Sequence, residues 1–276
     1  MAEPRIVTAI DVGSSKVVAL VGEATGEPGT GAGAGGATGF NVIGVGIVPS
    51  RGVKRGQIIN VNEATAAIRE SVDGAERSSV NKINNAIVSI SGNHIASQNS
   101  QGAVAIGRGD QGVGVEDINH SLESAQAISV PNNREIIHVI PRHFRVDEQD
   151  GVRNPIGMLG FRLEVQAHIV TGATTAIHNL LKCASQAQVD VNELVLAPLA
   201  SAEAVLTSTE REMGAILVDI GSGTTDVAIF IDGAVWHAGV LEVGGSLFTS
   251  DLALCLRLPL ETAEQIKLSH GHASIA

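Results

Sequence analysis

Apolar and polar positions divide the chain into segments of two periods. Ile6 to Val21 is dense in Val, Ile and Ala and is broken by Asp11-Val12-Gly13-Ser14-Ser15, a pattern that predicts strand, turn, strand. Phe40 to Val48 predicts a third strand. Asn60, with Glu63 three residues later, has capping-box spacing and predicts a helix over 62–78 whose buried stripe carries Ile68 and Val72. From Asn85 the pattern shifts to short strands at Ala86 to Ser91, Ala103 to Ile106 and around Glu135 to Val146, with one helix over 115–128. Phe161 to Thr171 predicts a long strand leading back to the first domain. Ile177, Leu180, Leu181 and Ala184 then fall at helical spacing within 174–187. A strand at Glu193 to Leu196 and a helix over 198–208 follow. The pattern restarts with Ala215 to Ile220, a glycine turn, Asp226 to Ile231, Ala234 to Val243, and two helices after Gly245.

The restart is a repeat of residues as well as of pattern. Ile10-Asp11-Val12-Gly13-Ser14-Ser15-Lys16-Val17-Val18-Ala19-Leu20 recurs as Val218-Asp219-Ile220-Gly221-Ser222-Gly223-Thr224-Thr225-Asp226-Val227-Ala228-Ile229. The interval of 208 residues between Asp11 and Asp219 is too long for a solenoid and predicts two related domains facing each other. Each copy ends a strand on an acid and turns through glycine and small hydroxyl residues. In such a turn the backbone can approach an anion, successive N–H groups point inward, and hydroxyls add donors. Charge-assisted bonds of this kind contribute about 1.5–3 kcal/mol each. Asp11, Gly13, Ser14, Ser15 and Lys16 are therefore candidates for one phosphate cradle, and Asp219, Gly221, Ser222, Gly223, Thr224 and Thr225 for the other. Asp11 and Asp219 are the candidate outer-shell ligands of Mg²⁺, acting through water because that ion dehydrates reluctantly.

Two further pieces suit the same ligand. Val243-Gly244-Gly245-Ser246 precedes a helix, where backbone amides and the helix N-terminus can meet phosphate. Glu264 and Lys267, at i and i+3 on the last helix, either grip a ribose and pack the lysine stem on a base or form a surface ion pair. Other phosphate motifs fail. Gly221 to Asp226 starts like GxGxxG, but the third glycine is absent and a strand follows where a helix is required. No GxxxxGK[ST] occurs.

Composition narrows the function. With 44% apolar residues in 276 the chain can fill a sizeable core, which excludes global disorder, and with no Tyr, one Trp and five Phe that core is aliphatic. The formal charge of −11 and the scarcity of rings exclude a nucleic-acid partner and disfavour an anionic membrane surface for these residues. Cys183 and Cys255 lie far apart without metal-ligand spacing and read as small buried hydrophobes in a reducing compartment. The start carries no signal-peptide pattern and no run of about 18 apolar residues occurs, so a cytosolic location is expected. The glycine-rich stretch from Ala24 to Gly39 reads as a flexible hairpin tip.

At this point the residues resemble the actin, Hsp70 and sugar-kinase superfamily, and more closely its bacterial cell-division family FtsA. The closer likeness rests on Ile10 to Lys16, Val45-Gly-Ile-Val-Pro-Ser-Arg-Gly52, Asn154-Pro-Ile-Gly-Met158, Pro198-Leu-Ala-Ser201, Thr209-Glu-Arg-Glu-Met-Gly214 and Gly244-Gly-Ser-Leu-Phe-Thr-Ser-Asp251. It implies an α/β fold of duplicated actin-like (ribonuclease H-like) domains. Residues 1–84 and 166–205 would form subdomain 1A, 85–165 an inserted α+β subdomain 1C, and 206–276 the start of an incomplete subdomain 2A. It also implies ATP and Mg²⁺ as cofactors, held by the two turns, by Gly244 and Gly245, and by Glu264 and Lys267 at the nucleoside.

The family's role would be a scaffold that polymerises with itself and anchors the tubulin-like division protein FtsZ on the cytoplasmic face of the inner membrane at midcell. Residues 85–165 would recruit later division proteins. The family's FtsZ-docking subdomain and its C-terminal amphipathic lipid-binding helix would fall beyond Ala276, so a longer whole protein is expected. One departure bears on chemistry. Hsp70-like relatives carry a carboxylate just before the proline of the connecting helix to orient the attacking water, and here Ala197 precedes Pro198. Slow or absent hydrolysis is expected, with Glu203 the alternative water-orienting group. The competing expectations are a small-molecule kinase or phosphatase and an Hsp70-like ATPase of the same superfamily.

Overall fold

A computed structural model describes residues 5–25, 39–107, 112–127 and 130–274. The hairpin β1 (Arg5–Val12) and β2 (Lys16–Thr25) continues into β3 (Gly39–Pro49). A small hairpin of β4 (Val53–Lys54) and β5 (Gln57–Ile58) leads to α1 (Val61–Ser79) and β6 (Asn85–Ile90). Then come β7 (Ala96–Ala105), α2 (Val115–Gln126), β8 (Arg134–Val146), β9 (Gln149–Val152) and β10 (Arg162–Ala173). After these, α3 (Thr174–Gln186), β11 (Asp190–Leu196) and α4 (Ala197–Val205) precede α5 (Ser208–Met213). Finally β12 (Ala215–Ile220), β13 (Thr225–Ile231) and β14 (Ala234–Leu241) are followed by α6 (Gly245–Leu256) and α7 (Leu260–His270). The glycine-rich stretch expected as a hairpin tip lies outside the described residues apart from its ends, where Thr25 pairs with Gly39.

The strands form a five-stranded sheet in the order β11-β6-β1-β2-β3, a four-stranded sheet β7-β10-β8-β9, a three-stranded sheet β12-β13-β14, and the small hairpin. Two expected boundaries shift. Asn85–Ile90, expected to open the inserted unit, is the parallel strand between β1 and β11 in the first sheet. The strand expected to lead back to the first domain pairs from Arg162 to Thr171 with β7 and from Leu163 to Ala173 with β8, so it belongs to the inserted sheet. Its period could not reveal this, because the strand is buried on both faces: Leu163, Val165, Ala167 and Ile169 are fully buried, and Val170 reaches the core of the first sheet.

Helix α1 shows how a local signal meets its tertiary context. The Asn60 side chain accepts hydrogen bonds from the Asn62 and Glu63 N–H groups, as a cap should. The reciprocal half of the expected capping box does not form, because the Asn60 N–H already donates to the Gly52 carbonyl at 3.1 Å. Ala64, Ala67, Ile68, Ser71, Val72 and Ala75 make the buried face that packs on the first sheet. Cys183 is buried as expected, but Cys255 is exposed on α6. Helical spacing places a residue on a face of its helix without saying whether that face is covered. No helix among the described residues is long and apolar enough to cross a membrane.

The four-stranded sheet rests on β14. At that contact His168 is 1% exposed, and its Nδ1 is 2.7 Å from Asn99 Oδ1. Burial, with the nearby His237 and Arg142 charges, lowers its pKa from 6.5 to about 4. The folded ring thus holds its proton more weakly than the unfolded one. Stability is full above pH 6.5 and falls as the pH drops toward about 4, by about 3 kcal/mol in all. His168→Gln, which keeps a partner for Asn99, is expected to flatten that slope in urea titrations at pH 7 and pH 4.5; an unchanged slope would assign the acid sensitivity to other groups.

Candidate functional site

The two repeated sequences fold into the same turn. In the first, Val12 pairs with Val17 and the Gly13 N–H donates to the Lys16 carbonyl at 3.1 Å. In the second, Ile220 pairs with Thr225 and the Gly221 N–H donates to the Thr224 carbonyl at 2.9 Å. Every one of these residues is matched by its counterpart 208 positions later, so the repeat is one of backbone geometry. The turns also touch: a Cβ added at Gly223 would lie 2.6 Å from Ser14 Oγ and 3.0 Å from the Arg55 Cα. Ser14 Oγ accepts from the Gly56 N–H at 2.9 Å, and Arg55 forms an ion pair with Glu242 at 3.4 Å, so the small hairpin of β4 and β5 links the two halves.

Asp11 and Asp219 line one cleft of about 390 Å³ together with Ser89, Ala197, Ala200 and Ser201. Each acid has a hydroxyl donor: Ser89 at the end of β6 donates to Asp11, and Ser201 on α4 donates to Asp219 at 2.8 Å. Neither acid has an ion-pair partner among the described residues. A third carboxylate lies behind them. Asp226 is the ladder partner of Asp219 and is 5% exposed, with Oδ1 held by Ser91 Oγ at 2.5 Å and Oδ2 by Thr224 Oγ1 at 3.0 Å. Burial pushes its carboxyl up, the two hydroxyls oppose that, and the Asp219 and Asp11 charges add to it. No cluster of three or more His, Cys, Asp or Glu side chains able to hold a metal unaided occurs among the described residues. A divalent cation here would have to bring oxygen ligands from water or from a phosphate.

Sequence reasoning missed Asp226, Ser89, Ser91 and Ser201. Asp226 had a signal, since it puts an acid inside a strand where its counterpart in the first copy is the apolar Val18. Ser201 stood within a quoted motif without a role. Ser89 and Ser91 had no signal, because what they touch lies 78 and 135 residues away.

Several expected donors are engaged within the protein. The Thr224 hydroxyl is committed to Asp226 and the Thr225 hydroxyl to the Val243 carbonyl at 2.7 Å. The Gly245 and Ser246 N–H groups donate to the Gly221 and Ser222 carbonyls, both at 2.9 Å. Gly244 and Gly245 thus fasten α6 onto the second turn, so the amides of Gly245 and Ser246 are not open to an anion. Glu264 and Lys267 face each other at 2.7 Å, and Lys267 Nζ also donates to the Gly245 carbonyl at 3.2 Å and to Thr249 Oγ1 at 3.0 Å. The Lys267 and Thr249 bonds hold the Glu264 carboxyl below its usual range. The pair is an ion pair set beside the turn. Glu203, the alternative water-orienting group, is drawn to Arg211 at 2.6 Å, is 75% exposed at its side chain and does not line the cleft. Ala197 does line it.

Comparison with known proteins accords with this geometry. Residues 92–171 match the family model described as "SHS2 domain inserted in FTSA", and residues 216–276 the one described as "Cell division protein FtsA". The cell division protein FtsA of Neisseria meningitidis serogroup B is 41% identical over 272 residues, which is 99% of this chain and 63% of that protein. The chain spans about three-fifths of the length of the curated relatives it matches. Among solved structures, the PilM-PilN type IV pilus biogenesis complex aligns with a TM-score of 0.69 at 16% identity, covering 98% of this chain and 71% of that one. MreB5 of Spiroplasma citri bound to AMPPNP aligns at 0.52 and 14% identity, covering 100% of this chain and 65% of that one. The fold is α/β and actin-like, with the four-stranded unit as its inserted domain, and the chain belongs to the FtsA family of cell-division proteins.

Proposed function

We propose that this chain is the nucleotide-binding part of a switched cell-division scaffold. The observation that carries the reading is the pair of matching turns set against each other over two carboxylates that have hydroxyl donors but, among the described residues, no basic side chain paired with them. The turns from Gly13 to Lys16 and from Gly221 to Thr224 present to the phosphates of ATP the backbone amides left over once the Gly13 and Gly221 N–H groups have closed each turn. Asp11 and Asp219 hold Mg²⁺ through its water shell, and Lys16 adds positive charge. Glu264 and Lys267, beside Gly245, close the nucleoside side. Support comes from the MreB5 structure of the same fold, which holds the ATP analogue AMPPNP.

Hydrolysis is slow on this reading, because Ala197 stands where a water-orienting carboxylate is needed and Glu203 is engaged by Arg211. A ligand gripped from both turns sets the angle between the halves, and through it the head-to-tail contact of subunits; a heterologous contact that does not close makes a filament. In the whole protein such filaments anchor FtsZ at the cytoplasmic face of the inner membrane, and the inserted domain recruits later division proteins. ATP–Mg²⁺ is expected to bind this chain in calorimetry and to change the amount of whole protein that pellets with lipid vesicles. If neither binding nor pelleting responds to nucleotide, the switch is wrong.

A further inference from the structure

We infer that the inserted domain is zipped onto the β13–β14 ribbon, so that it moves with the second turn although it is covalently part of the first half. The segment that leads into it and its first strand, β7, carry three bonds to that ribbon. Ser91 donates to Asp226 at 2.5 Å, Ser97 to the Ala238 carbonyl at 2.6 Å, and Asn99 Nδ2 to the Trp236 carbonyl at 3.3 Å. Ser97 and Asn99 lie two apart on β7, as do Ala238 and Trp236 on β14. One strand face thus meets alternate carbonyls of the other, and side chains take the place of a ladder on an edge strand.

The rest of the contact holds this clasp in position. Arg142 on β8 stacks on the Trp236 ring at 3.7 Å, and its buried Nε has no hydrogen-bond partner among the described residues, so the ring seats the guanidinium. His168 on β10 holds the Asn99 amide. Arg153, just past β9, pairs with Glu212 on α5, with Nη2 to Oε2 at 2.6 Å, a second tie to the same half. On the other side the path to the cleft is short. Asp226 pairs across the ladder with Val240, two residues from Ala238. At about 3.4 Å per residue and about 4.8 Å between strands, the clasp lies about 8 Å from the buried carboxylate behind the second turn.

The inference rests on the cleft being a nucleotide site only for its trigger. Any change in the angle between the turns must either carry the inserted domain along or break these bonds. Trp236 is the single tryptophan of the chain, so its emission reports on the contact directly. ATP–Mg²⁺ is expected to shift Trp236 emission and to change amide exchange at residues 96–101 at least twofold in the 276-residue chain. The double variant Ser97→Ala with Asn99→Ala should bind ATP within twofold of the parent, by calorimetry, and lose that response. Binding without a response in the parent, or a response retained in the variant, would overturn the coupling and leave the nucleotide reading standing.

If calorimetry detects no binding, the nucleotide reading fails and a wedge decides the coupling alone. Gly223→Val drives a side chain against Ser14 and should shift Trp236 emission and speed exchange on β7. Should that variant not fold, Ser91→Ala cuts the first bond and should speed the same exchange at least twofold. An unchanged Trp236 signal and unchanged β7 exchange in these variants would overturn the inference.

Discussion

Gly46→Ala is expected to lower the stability of the chain by at least about 3 kcal/mol, although the substitution adds a single methyl group. Gly46 has no unusual backbone torsion; its constraint is space. A Cβ there would lie 1.8 Å from the Ser71 carbonyl oxygen and 2.7 Å from the Ala75 nitrogen, both backbone atoms of α1. Gly74 faces it from the helix, 3.1 Å from the Gly46 Cα to its own would-be Cβ. No side chain can swing aside to make room, so the helix must move. Its buried face, with Ala67, Ile68 and Val72, then loses registry with the first sheet. Overpacking costs 1–3 kcal/mol in ordinary cases, and a rigid backbone obstacle lies at or above the top of that range. Against a typical total of about 5–15 kcal/mol the loss would be plain in a urea midpoint. Val45→Ala, one residue away and 41% exposed, should move the midpoint little, and equal shifts for the two would remove the steric argument.

Asp219→Ala is expected to weaken ATP–Mg²⁺ binding at least tenfold while leaving the fold as stable as before or more so. On the proposed reading the loss follows from removing one of the two carboxylates that would hold the cation, at about 1.5–3 kcal/mol for a charge-assisted bond. The gain in the fold follows from Asp226, whose buried carboxyl is pushed up in part by the Asp219 charge and is relieved when that charge goes. Ser201 loses its acceptor but faces the open cleft, where water can replace it. Calorimetry with and without Mg²⁺, alongside a urea titration, separates the two effects. Unchanged affinity would reject Asp219 as a cation holder, and a large loss of stability would make it a structural residue.

Most of the elements were legible because they rest on neighbours in sequence. The turn from Gly221 to Thr224 and the strand Ala215–Ile220 fall where the residue pattern places them. Some small elements escaped. The β4–β5 hairpin has two-residue strands, and α5 spans only Ser208 to Met213, both too short to show a period. The boundary of the inserted domain was misread for another reason. Residues 85–90 have a strand pattern whichever sheet they join, and only their pairing with Ala9 and Ile10 shows which one it is.

By itself, then, the sequence determined what depends on adjacent residues: two matching turns with an acid before each, an aliphatic composition, and motifs that identify the family. Tertiary structure alone decided which groups face those acids. Ser89, Ser91 and Ser201 become partners of Asp11, Asp226 and Asp219 because strands and a helix distant in the chain end at one cleft. It also decided that the amides before α6 fasten a helix, that Glu203 turns away, and that the inserted domain lies on β14. A hydrogen bond needs donor and acceptor within about 3 Å. Residues close in the chain meet that condition through local geometry, and residues far apart meet it only once the sheets have packed.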